Sequence, residues 1–142
     1  MTLLQLAMRF VGEIEERPGA ADHPFILWCL EACHPITDQP HDEIAWCSAF
    51  VSRLAWVQRL PRSKSLAARS WLGIGTAVES SLARAEYDVV ILSRGLNPAQ
   101  GHVGLYAGAE TGRILVCGGN QSNGVTIDTF PIARVLGVRR LG

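Results

Sequence analysis

The sequence of 142 residues carries no surplus of charge, no long apolar run, no repeat and no evenly spaced cysteine framework. Each absence excludes a class of protein. Thirteen Lys and Arg balance thirteen Asp and Glu, whereas a dedicated nucleic-acid binder declares itself by a basic excess, so no nucleic-acid partner is expected. The longest apolar run, Pro24 to Leu30, falls far short of the roughly 20 residues of a spanning helix, so no membrane insertion is expected. The opening MTLLQLAMRF has no basic start, sustained apolar stretch or small-residue cleavage site. No secretory signal is read there, and synthesis in the cytoplasm is expected. Cys29, Cys33, Cys47 and Cys117 are expected to stay reduced, because a chain this long and apolar needs no staples.

What is present suits one folded domain spanning residues 1–142. Its 48% hydrophobic and 18% charged content is too apolar for a disordered chain, and its length allows burial of somewhat under ~70% of the unfolded surface. The zero net charge hides a division. Residues 1–52 hold eight acids and two bases, while residues 53–142 hold five acids and eleven bases. Two oppositely charged lobes, or a cleft between them, are expected from that split. Twelve of the thirteen bases are Arg, which suits contact with carboxylates, although a compositional bias of the genome explains it equally well.

The first third reads as helix. Apolar residues at 3, 4, 6, 7, 10, 11 and 14 predict a helix over Leu3 to Glu16, ended by Arg17-Pro18-Gly19. Pro24 opens a second, short buried helix over Phe25 to Cys33, closed by His34-Pro35. A stripe at 46, 47, 50, 51, 54 and 57 predicts a central helix over Ile44 to Val57, with Asp42 and Glu43 suited to its start. Residues 61–75 read as a loop with a short helix.

After Glu86 the pattern turns to strand. Asp88 to Ser93 is a β-branched run, followed by turn chemistry over Gly95 to Gly101. His102 to Ala107 alternates, placing His102, Gly104 and Tyr106 on one face. Arg113 to Cys117, Val125 to Phe130 and Arg134 to Arg139 predict further strands, with Gly118 to Gly124 as a turn. The expected class is α+β: N-terminal helices over about 1–75 packed on an antiparallel sheet over about 86–140.

Three residues suggest chemistry. Cys47 lies near the start of the central helix, where unpaired N–H groups and the dipole favour a thiolate. A plain buried helix cysteine is the competing reading. His102 opens a strand, where an imidazole could take a proton from a thiol and return it to a leaving amine. Asn120 follows a strand expected beside that of His102 and could orient the imidazole. Turn composition explains Asn120 as well, and explains Asn123 better.

The blocks Trp46-Cys47-Ser48-Ala49-Phe50-Val51, Arg69-Ser70-Trp71-Leu72, Val90-Ile91-Leu92-Ser93-Arg94-Gly95, Gly101-His102-Val103-Gly104-Leu105-Tyr106 and Gly118-Gly119-Asn120-Gln121-Ser122-Asn123 resemble the compact CHAP and NlpC-type cell-wall hydrolases. These belong to the papain-like cysteine peptidase superfamily. The likeness runs from about residue 3 to 141, and the blocks occur in the family's order. It implies a nucleophile at a helix N-terminus packed against an antiparallel sheet. On that pattern Cys47 is the nucleophile, His102 the base and Asn120 the orienter. The sequence departs from the usual CHAP pattern at Gly118, where a glutamate is common, and Gln121 is the nearest competitor of Asn120.

The resemblance implies hydrolysis of a peptidoglycan amide through a Cys47 thioester, without a cofactor. The bond cut lies within the stem peptide or between the sugar and its first alanine. The Cys47 N–H would contribute to an oxyanion hole; His41 is a second donor by position only. Trp46, Arg94 and Gln121 are candidate substrate contacts. Delivery to the wall would follow holin release, as in a phage-type lysin, or injection as an antibacterial effector with an immunity protein as partner. A zinc site from Cys29, Cys33, His34 and His41 is disfavoured, since their spacing matches no common pattern. The rival reading is a non-catalytic wall-binding or phage structural module with the same fold.

Overall fold

The computed structural model describes residues 1–13, 23–33, 46–122 and 124–142. The helix breaks expected at 17–19 and 34–35, the residues Asp42 and Glu43, and His34, His41 and Asn123 lie outside them. Three helices form. The first, α1 (Leu3–Met8), starts with a capping box: Gln5 N–H donates to Thr2 Oγ1 at 3.1 Å while Thr2 N–H donates to Gln5 Oε1 at 2.8 Å. It ends earlier than its apolar period suggested. α2 (Pro24–Leu30) carries Pro at its first position, and His23 Nδ1 accepts from Phe25 N–H at 3.2 Å. Tighter turn bonds, Ala32 N–H to Cys29 O and Cys33 N–H to Leu30 O, replace its expected last turn. α3 (Cys47–Val57) is the central helix.

Six strands follow: β1 (Thr76–Val78), β2 (Asp88–Ser93), β3 (Gly101–Glu110), β4 (Arg113–Gln121), β5 (Gly124–Pro131) and β6 (Val135–Arg140). They form one antiparallel sheet in the order β1-β6-β2-β3-β4-β5. The expected meander β2 to β5 is present, and β6 returns to the free side of β2. The class is α+β, with helices packed on an antiparallel sheet. One expectation was wrong in extent: β4 continues through Gly118 to Gln121, where turn composition predicted a reversal.

Alternation gives the sheet two apolar faces. Val89, Ile91, Val103, Leu105 and Cys117 pack on the first face with Phe50, Val51 and Leu54 of α3 and with Trp71. Val90, Leu92, Ile114, Val116 and Val138 form the second face, joined by Tyr106 and Phe130. α3 seats closely on β4 because Gly119 has no side chain: a Cβ there would lie 2.5 Å from the Trp46 ring and 2.9 Å from Phe50 Cβ. Truncating Phe50, which is fully buried, should cost about 3–5 kcal/mol.

Several polar groups in this core are tied down, while Trp46 Nε1 and Ser52 Oγ find no hydrogen-bond partner among the described residues. Trp71 Nε1–H donates to Ser48 Oγ at 2.9 Å, and Ser48 Oγ–H donates to Ser65 O. That chain fastens the start of α3 to Ser65 and to Trp71, the latter within a short 3-10 helix at Ala68–Gly73. Buried Asp88 accepts two bonds from Arg140, at 2.7 and 2.8 Å, and one from Arg84 N–H at 2.7 Å, closing β2 against β6. Among the described residues no helix is long and apolar enough to cross a membrane.

Candidate active site

Cys47 is the first residue of α3, so its sulfur sits where the helix's first N–H groups have no helical partner. It is 2% exposed. Burial pushes its thiol above the ordinary value, while the Val103 and Ser48 N–H groups and the charge of Arg94 pull it back down. Val103 is the residue after His102. A pocket of about 190 Å³ opens beside the sulfur, walled by Leu66, Ala67 and Ala68 on one side and by Arg94, Gln100 and Gly101 on the other. Arg69 steadies that second wall by donating to Gln100 O at 2.8 Å.

His102 is 7% exposed and belongs to the second face, opposite Leu92 in register, with its ring 5.5 Å from that of Phe130. Its Nε2 lies 2.7 Å from Gln121 Oε1. The other end of the Gln121 amide settles the tautomer. Its NH2 faces Val116 O at 3.2 Å, Thr126 O at 2.9 Å and Thr126 Oγ1 at 3.1 Å. Carbonyl oxygens only accept, so the amide oxygen must face His102, and His102 Nε2 must carry the proton it donates. Nδ1 is left as the basic nitrogen. Burial lowers the imidazole's proton affinity, Gln121 raises it, Arg134 and Arg94 lower it, and Asp128 raises it; the net direction is below 6.5.

The sheet therefore places Gln121, rather than Asn120, against His102. A bulge is responsible. Gly118 pairs with Thr126 and Gln121 with Gly124, so three steps on β4 face two on β5. Gly119 faces α3, and strict alternation would send Asn120 to the His102 face and Gln121 back toward the helix. Instead Asn120 adopts φ 57, a left-handed conformation that Asn tolerates, and Gln121 swings to the imidazole. Gly118 makes room: a Cβ there would meet Gln121 Oε1 at 2.6 Å.

A pocket of about 210 Å³ lies beside this pair, lined by Arg94, Asn120, Ser122, Asp128 and Arg134 as well as His102 and Gln121. Arg94 borders both this pocket and that of Cys47. Among the described residues no hydrogen bond joins Cys47 to His102. The two approach the sheet from different faces and are linked through the backbone of β3 and through Arg94.

The other candidates separate. Trp46 was expected to line the cleft; it is instead 1% exposed, packed edge-on to Phe25 and Phe50 at 6.2 and 6.5 Å. Arg94 is exposed and borders the site as expected. Cys29 and Cys33 are core residues, and burial raises both thiols. Burial also pushes the Cys117 thiol up to about 12. Arg134, Asp128 and Thr126 were missed by sequence reasoning, since each reads as an ordinary strand or turn residue until β5 is paired beside β4. No family model matches this chain, and no curated protein matches it.

Proposed function

We propose that the chain is a cysteine peptidase or amidase of the papain-like superfamily, of CHAP and NlpC type, that hydrolyses an amide bond of peptidoglycan. The buried pair of His102 and Gln121, at 2.7 Å, carries this reading. It supplies a neutral imidazole held by an amide, with Nδ1 unprotonated, on the residue before Val103, whose backbone draws the Cys47 thiol part of the way down. In the proposed triad Cys47 is the nucleophile, His102 the base and Gln121 the orienter, in the place assigned to Asn120 by resemblance.

In the proposed reaction the Cys47 sulfur attacks the carbonyl carbon while its proton passes to His102 Nδ1. The C–N bond then breaks, and the imidazolium protonates the departing amine. Water adds to the thioester, giving one proton to Nδ1, and the acid leaves as the thiol is restored. The resting thiol is neutral because burial opposes its ionisation, so proton transfer accompanies attack rather than preceding it. The transfer requires a rearrangement that brings the sulfur and Nδ1 together, because the two approach the sheet from different faces.

The working site would be reached from the cytoplasm by holin release or by a secretion system, the latter with an immunity protein as partner. Cys47→Ala should abolish the clearing of purified walls while leaving the circular dichroism spectrum unchanged. Clearing by the alanine variant refutes the assignment. A second reading, a non-catalytic wall-binding or phage structural module, is favoured by the near-complete burial of Cys47. Wall binding without hydrolysis by the unmodified protein would support it.

A further inference from the structure

Two arginines flank His102 without being needed to orient it. Arg134 is fixed: Nε and Nη2 both donate to Ser93 O, at 3.0 and 2.8 Å, and its guanidinium lies 5.2 Å over the Phe130 ring. Its Nη1 has no protein partner among the described residues. Arg94 is exposed and donates no side-chain hydrogen bond among the described residues. Among the described residues Asp128 is the one acid lining their pocket, and it forms no ion pair with either arginine. The pocket thus carries one net positive charge beside the neutral imidazole. Both guanidiniums depress the proton affinity of His102, so their fields reach the place where substrate would react.

We infer that Arg94 and Arg134 form a subsite for a carboxylate of the substrate peptide, held beside His102. This rests on the peptidoglycan amide hydrolase reading and deepens it, since it selects stem peptides with free acid groups over amidated ones. A guanidinium presents paired N–H donors that match a carboxylate. The net charge of one suits a monoanion, and Asp128 repels a dianion such as a phosphate monoester. Arg134 supplies the pre-oriented donor. Arg94, bordering both pockets, lies between this subsite and the Cys47 sulfur.

The test is calorimetric binding of a synthetic stem peptide with free carboxyl groups, and of its fully amidated counterpart, to the Cys47→Ala protein. The free acid should bind at least tenfold more tightly. Adding Arg94→Gln to that protein should reduce the preference to less than threefold, and Arg94→Lys should restore part of it. Equal affinities, binding of neither peptide, or a preference that survives Arg94→Gln overturns the subsite. Hydrolysis of the same peptides by the unmodified protein separates this inference from the proposed function. A preserved acid preference without turnover sinks the enzymatic reading and leaves the subsite standing.

Discussion

Replacing Gln121 with Met keeps side-chain length and flexibility but removes every polar contact that holds His102. The native amide makes four contacts, at 2.7 Å to His102 Nε2 and at 3.2, 2.9 and 3.1 Å to Val116 O, Thr126 O and Thr126 Oγ1. Two N–H groups are shared among three acceptors, so these count as about three bonds. At roughly 0.5–1.5 kcal/mol net each, the expected loss of stability is about 2–4 kcal/mol. The apolar volume lost is small, so cavity effects add little. With a urea dependence of about 1–3 kcal/mol/M, the unfolding midpoint should fall by about 1–4 M. Turnover should fall about 10- to 100-fold, because orientation is one part of the roughly 10²–10⁴ that acid–base catalysis provides. Gln121 raises the proton affinity of His102, so the acid limb of the pH–rate profile should also move to lower pH. Asn120→Gly should leave stability near that of the native protein, since glycine accepts φ 57 freely. An unshifted midpoint with full turnover in Gln121→Met, together with lost turnover in Asn120→Gly, would refute the reasoning and return the orienting role to Asn120.

The depressed proton affinity of His102 gives stability a defined pH dependence. Below pH 6.5 the unfolded chain takes up a proton that the folded one refuses, so stability falls as pH drops from 6.5 through the lowered value. Denaturant midpoints at pH 7.5 and 5 should differ in that direction, and His102→Gln should reduce the difference; an unchanged difference would remove His102 as its source. Iodoacetamide should label Cys47 before Cys29, Cys33 or Cys117, because burial raises all four thiols but Cys47 borders a pocket. Uniformly slow labelling would favour the non-catalytic module. Ser48→Ala strands the Trp71 N–H and the Ser65 carbonyl in the core, and thermal unfolding should report a loss of about 1–3 kcal/mol; no loss would mean that water replaces the hydroxyl.

The α+β layout was legible because periodicity changes near Glu86 from a helical stripe to β-branched runs, and these patterns reflect burial of one face. The start of α2, the end of α3, the run at β2 and the order of the meander follow from that signal, whereas α3 begins at Cys47 rather than Ile44. Helix ends were less legible: α1 and α2 stop short of the apolar period, and Phe10 and Cys33 beyond them still pack in the core through tighter turns. The partner of the imidazole was expected at Asn120, from its place after a strand and from the resemblance. A bulge with φ 57 at that residue brings Gln121 to the imidazole instead. Such a bulge depends on pairing with β5, which lies outside any local pattern. Trp46 read as a core residue or a cleft contact, and packing places it in the core. The relation of Cys47 to His102 depends on which face of the sheet each approaches, a property of the whole layer.

Mass spectrometry of muropeptides released from purified walls tests the proposed chemistry most directly. Digestion by the unmodified protein should yield fragments with one new carboxyl and one new amine at a single class of amide bond. Cys47→Ala and His102→Ala should yield none. Intact muropeptides after prolonged digestion by the unmodified protein, or the same fragments from Cys47→Ala, would contradict hydrolysis by a Cys47 thioester.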